Sequence, residues 1–138
     1  GTISSYEYDC YSIIIDSLIE SNFKGKLLFK FHPANSKKSI VLKKIYCKYK
    51  LGKNKDIFID FKHREESIEY YARKSNLLIS IDYSTSFNQI IDYGTPIIYL
   101  NSNKLRVEIN HSNSIYKNKN FKMITSKNKL KNELKKVF

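Results

Sequence analysis

Tryptophan is absent from these 138 residues, methionine occurs once, and only two cysteines, two prolines and four glycines punctuate the chain. Each shortage excludes something. Four isolated glycines leave no Gly-x-Gly-x-x-Gly fingerprint, no Walker phosphate loop and no Gly-x-Ser-x-Gly elbow, which argues against dinucleotide enzymes, nucleotide triphosphatases and elbow-type hydrolases. Cys10 and Cys47 are too few and too far apart for a metal motif, so unpaired thiols in a reducing, cytoplasmic setting and no bound metal are expected. No apolar run approaches the roughly 20 residues that a membrane helix needs. Arginine is scarce as well. Arg64, Arg73 and Arg106 stand against a net charge of +12 carried mostly by lysines scattered among asparagine and isoleucine. Such charge suits nucleic acid or an anionic membrane surface; no recognised nucleic-acid motif accompanies it, so peripheral membrane contact is retained and nucleic acid set aside. The chain opens on Gly1 with no charged-then-apolar leader, and is read as a processed chain or an excised piece.

What is present is an alternation of helical and strand patterns. Tyr6, Cys10, Ile13, Ile14 and Leu18 recur at three- and four-residue steps and predict an amphipathic helix over 6–23, closed by Gly25. Residues 27–31 form a bulky apolar strand. A second helix over 36–50 presents Ile40, Leu42, Ile45, Tyr46 and Tyr49 and is closed by Gly52; "DIFID" at 56–60 is the next strand, and 65–74 a third helix with basic Arg73 and Lys74 in its last turn. "NLLISID" at 76–82, a helix capped by Ser or Thr and ended by Gly94, and "TPIIYLN" at 95–101 continue the pattern. Residues 103–120 read as loop with a short helix, 121–125 as a last strand, and Ser126 caps a closing helix carrying Leu130, Leu134 and Val137. Alternation with short connections predicts an α/β fold: one Rossmann-like, doubly wound parallel sheet of about five strands over residues 1–138.

Ligands on such sheets bind at the carboxyl ends of the strands. Four polar sets fall there: His32-Pro33-Ala34-Asn35, Asp60 to Arg64, Asp82 to Ser86, and Asn101-Ser102-Asn103. Ser84, Thr85 and Ser86 open a helix, where hydroxyls and free N–H groups at the positive end of the dipole suit a phosphate; the same residues also serve as ordinary helix caps. His32 can donate to a phosphate, act as a general acid, or pack at the strand end with one nitrogen wet. His63 and Arg64 lie in a basic run that is either a solvated loop or an anion contact.

Taken in order, "KFHP" at 30–33 and "NLLISIDYSTSFNQIIDYGTPIIYL" at 76–100 resemble the carboxyl-terminal half of GT-B glycosyltransferases. The likeness is to bacterial surface-polysaccharide enzymes with an HP motif and a later Ser-Ser or Ser-Thr motif, such as bacterial sialyltransferases and CDP-glycerol glycerophosphotransferases. It implies a donor-nucleotide-binding domain lacking its amino-terminal partner half, inactive alone, working in capsule or lipopolysaccharide synthesis at the inner face of the cell membrane. It implies a CMP-, CDP- or UDP-linked sugar or glycerol donor, a glycan or glycolipid acceptor, and no metal. It assigns His32, Ser84 and Thr85 to the donor phosphate with His32 as the catalytic group, Pro33 and Ser86 as neighbours, and His63 and Arg64 near the nucleobase. Retaining GT-B enzymes and nucleotide-sugar 2-epimerases often carry a glutamate after the Ser motif; here stand Asn88 and Gln89, with no acid before Asp92, which sets those groups apart. The alternatives are a 2-epimerase and a non-catalytic basic module that holds a polyanion.

Overall fold

The structure, a computed structural model, describes residues 2–28, 38–50, 56–60, 67–81, 87–101 and 114–137. Helices and strands alternate, and among the described residues every strand pairing is parallel. The chain is therefore α/β, as the patterning predicts. It divides into two compact units, one within residues 1–65 and the other within 66–137, with a two-stranded and a three-stranded sheet respectively.

The first unit comprises α1 (Thr2–Glu20), β1 (Gly25–Leu28), α2 (Lys38–Lys48) and β2 (Ile57–Asp60). On α1 the buried apolar stripe is Cys10, Tyr11, Ile14, Ile15 and Leu18, while Ile13 is only half-buried. Two adjacent rows of four-residue steps make a stripe wider than the single row read from the sequence. Ser17 is buried among them because its hydroxyl donates back to the Ile13 carbonyl at 2.7 Å.

Gly25 does not close α1. Phe23 N–H bonds to the Leu18 carbonyl and Asn22 N–H to that of Ile19, with Asn22 left-handed at φ 57°, so a Schellman turn ends the helix on asparagine. Gly25 instead begins β1 at φ 156°, where an added Cβ would lie 3.1 Å from the Phe23 ring. Lys50 ends α2 the same way, at φ 51° with its N–H on the Cys47 carbonyl; Gly52, the expected terminator, lies outside the described residues. Against α1, Ile45 of α2 is buried, the Tyr49 hydroxyl donates to the Ser12 carbonyl at 3.4 Å, and Lys48 Nζ sits 5.3 and 5.0 Å from the ring centres of Tyr8 and Tyr49. The hydrogen bond with Tyr49, helped by Tyr8, raises the Lys48 pKa above its ordinary value.

The second unit runs α3 (Ile68–Lys74), β3 (Leu78–Ser80), α4 (Phe87–Ile90) tightening into a 3-10 turn (Ile91–Tyr93), β4 (Ile97–Leu100), a second 3-10 turn (Ser114–Lys117), β5 (Phe121–Ile124) and α5 (Lys127–Val137). Helix α3 starts three residues later than expected, because the Ser67 hydroxyl accepts the Tyr70 N–H and caps it there. Gly94 takes the left-handed position that ends the turn, at φ 82°. Ser126 caps α5 by accepting the Lys129 N–H.

Strand order is β3-β4-β5, and all four residues of central β4 are buried, as a strand covered on both faces requires. One face carries Ile97, Tyr99 and Phe121, packed with Ala72 of α3, Phe87 and Ile90 of α4, and Ile115. The Phe87 ring lies 5.5 Å from Phe121 and 6.3 Å from Tyr99. Lys122 points to the opposite face, beside Ile98 in register, and its Nζ meets Glu133 of α5 at 2.9 Å. Helix α5 therefore covers that second face, burying Leu130 and Leu134, each worth about 1.5–3 kcal/mol. Val137, expected on the same stripe, is instead exposed at the helix end.

Candidate functional site

Parallel pairing determines where the chain leaves each sheet. In the first unit Leu28 stands opposite Asp60, so β1 and β2 end together. In the second, Ser80 stands opposite Tyr99 and Leu100 opposite Ile124, so Ile81, Asn101 and Thr125 lie along one carboxyl edge. The sequence-predicted residues His32, Pro33, His63, Arg64, Ser84, Thr85 and Ser86 themselves lie outside the described residues. What the described strands supply is the frame: β1 and β2 end at one side of their pair, β3 and β4 at one side of theirs.

The best-defined polar group on the second edge is Asn101, directly after the all-apolar β4. Its side chain is 1% exposed. The backbone N–H of Asn101 bonds to the Ile124 carbonyl at 2.8 Å and extends the ladder by one residue, while Nδ2 donates to Met123 Sδ at 3.9 Å. Oδ1 is buried without a hydrogen-bond partner among the described residues. A thioether is a weak acceptor, so this amide is held by shape and by its backbone more than by its own hydrogen bonds. The signal was in the sequence, an asparagine ending an unbroken apolar run, but nothing there distinguished Asn101 from Ser102 and Asn103.

Away from this edge, a shallow depression of ≈ 230 Å³ runs along α3, lined by Ser67, Glu69, Tyr70, Arg73 and Lys74. At its end Arg73 lies 4.9 Å from the Tyr93 ring centre and donates to its hydroxyl at 3.4 Å; Lys74 lies 4.2 Å from the Tyr70 ring centre and donates to its hydroxyl at 2.6 Å. Thr95 Oγ1 donates to the Ala72 carbonyl at 2.5 Å, tying the last turn of α3 to the start of β4. Among the described residues no group of three or more His, Cys, Asp or Glu side chains could hold a metal ion, and no helix is long and apolar enough to cross a membrane. Comparisons with protein-family models, with curated proteins and with solved structures found no match to this chain.

Proposed function

We propose that the chain is the donor-nucleotide-binding half of a GT-B type glycosyltransferase or glycerophosphotransferase of bacterial surface-polysaccharide synthesis. The observation that supports it most is the parallel pairing of β3 with β4, because the segment "DYSTS" at 82–86 then follows a strand whose carboxyl end adjoins that of the central strand. Ligands of parallel α/β sheets collect at such an edge. In this reading the five strands belong to one doubly wound sheet, and the His-Pro pair after β1 shares the edge with the Ser-Thr-Ser run after β3.

Ser84 and Thr85, in the segment that precedes α4 in sequence, hold the donor phosphate with their hydroxyls and backbone N–H groups. His32 adds a donor to the same phosphate, with Pro33 limiting the backbone that carries it. As the bond from the donor carbon or phosphorus to the leaving nucleotide breaks, negative charge grows on the phosphate oxygens, and those donors stabilise it without a metal. His32 protonates the leaving group. His63 and Arg64 lie toward the nucleobase. The acceptor, a glycan or glycolipid, and its base come from a second domain, so the isolated chain binds donor and does not turn it over.

The test is a titration of the chain with CMP, CDP and UDP followed by backbone amide shifts. Saturable binding of one nucleotide, weakened about tenfold or more in His32→Ala and in Thr85→Ala, is expected, since each removes a hydrogen bond to a charged group. Absence of nucleotide binding, with salt-sensitive binding to heparin instead, would overturn the proposal in favour of a non-catalytic polyanion module.

A further inference from the structure

The opposite edge of the three-stranded sheet, where β3, β4 and β5 begin, carries a different chemistry. Three contacts make that edge continuous: Thr95 reaches the Ala72 carbonyl, Leu78 N–H bonds to the Pro96 carbonyl, and Ile97 N–H bonds to the Asn120 carbonyl. They bring together the end of α3, the turn before β4 and the turn before β5. Helix α5 joins them. It starts just past the carboxyl end of β5, and its 11 residues span about 16 Å, against about 13 Å for the four-residue strand. The Lys122–Glu133 contact shows it running back along β5, so its last turn reaches the starting edge.

Gathered there are Arg73 and Lys74, Lys117 and Lys119, and Lys135 and Lys136, all on the surface; the acids beside them among the described residues are Asp92, Glu69 one turn before Arg73, and Glu133, which accepts from Lys136 at 3.3 Å. Two tyrosines stand in the same rim, Tyr70 38% and Tyr93 39% exposed, and Val137 is 38% exposed beside the α5 lysines. Of the eight lysines between Ser114 and Val137, four (Lys117, Lys119, Lys135 and Lys136) stand at this edge, while Lys127 and Lys129 begin α5 at the other.

We propose that this rim is a docking surface for an anionic lipid membrane. Clustered lysines each gain about 1 kcal/mol near an anionic leaflet and need no fixed geometry from their partner. Tyrosines place an apolar ring and a polar tip at the headgroup level. Nucleic acid fits less well: five of the six cations are lysines, and the tyrosine faces that bases would stack on already carry Arg73 and Lys74. Docking by the starting edge leaves the carboxyl edge turned away from the bilayer. The proposal does not depend on the nucleotide reading.

Sedimentation of the full chain with vesicles of phosphatidylcholine containing phosphatidylglycerol, and of phosphatidylcholine alone, tests it. Binding only to the anionic vesicles is expected, falling as salt rises. The triple variant Lys119→Glu/Lys135→Glu/Lys136→Glu should bind at least about tenfold more weakly. Lys24→Glu/Lys43→Glu/Lys44→Glu, three like changes on exposed positions of the other unit, serves as the control for total charge and should retain more than half of the binding. Equal loss in both variants, no preference for anionic vesicles, or tighter binding to duplex DNA than to vesicles at the same salt would each overturn it.

Discussion

A single hydroxyl, that of Thr95, joins two elements whose ends would otherwise be unsatisfied. The last four carbonyls of a helix have no partner within it, and Ala72 supplies one of them in α3. Thr95 and Ala72 are both buried, so water does not replace the bond. Thr95→Val keeps the shape and removes the donor, and should cost about 1–3 kcal/mol, the penalty of leaving a buried carbonyl unpaired. Thr95→Ser should recover most of it. Urea unfolding reads the effect as a lower midpoint at unchanged slope; a valine variant as stable as the parent would show that the bond contributes nothing net.

At the scale of elements, α5 illustrates both what the sequence makes legible and what it hides. Ser126 as cap and Leu130 and Leu134 as the buried stripe are readable from spacing and are found so. The exposure of Val137 was not, because a stripe in sequence does not reveal where the sheet beneath it stops. Likewise, with four glycines in the chain, two helices end on left-handed Asn22 and Lys50, which no glycine-based rule locates. Glu133 depends on tertiary placement too. Its carboxylate accepts from Lys122 at 2.9 Å and from Lys136 at 3.3 Å, and the bond from Lys122 foremost holds its pKa below the ordinary value. A depressed carboxyl pKa stabilises the fold above the unfolded-state value of about 4.3, and that contribution is lost as pH falls through the lowered value. Glu133→Gln should therefore be less stable than the parent at neutral pH by a few tenths to about 1 kcal/mol, as for partly exposed pairs. The gap should close in acid below about pH 4. Chemical denaturation at both pH values checks this, and a gap independent of pH would remove the ion pair from the account.

For the whole molecule, the alternation of helices and strands and the parallel pairing follow from patterning, whereas the basic rim does not. Its cations are more than 60 positions apart along the chain, from Arg73 to Lys136, and only parallel topology, which returns every connection to the same edge, brings them together. The candidate nucleotide site was legible only as strand-end motifs; its described frame adds Asn101, which took a structure to single out. A concentrated positive rim also has a cost that can be measured. Like charges gathered on one edge repel in dilute buffer, where the screening length is roughly 30 Å at 0.01 M salt, and much less at 0.15 M, where it is about 8 Å. The unfolded chain separates them. Raising sodium chloride from roughly 0.01 M to 0.15 M should therefore stabilise the fold by about 1 kcal/mol, a few degrees in Tm for a unit of this size. Lys119→Glu/Lys135→Glu/Lys136→Glu relieves that repulsion but gives up the Lys136–Glu133 contact and puts acids at the carboxyl end of α5, so the readout is the salt dependence: its Tm should rise less with salt than the parent's. If instead the parent's Tm is flat or falls as salt rises, the rim cations are not close enough to repel, and the surface on which membrane docking rests is not assembled as described.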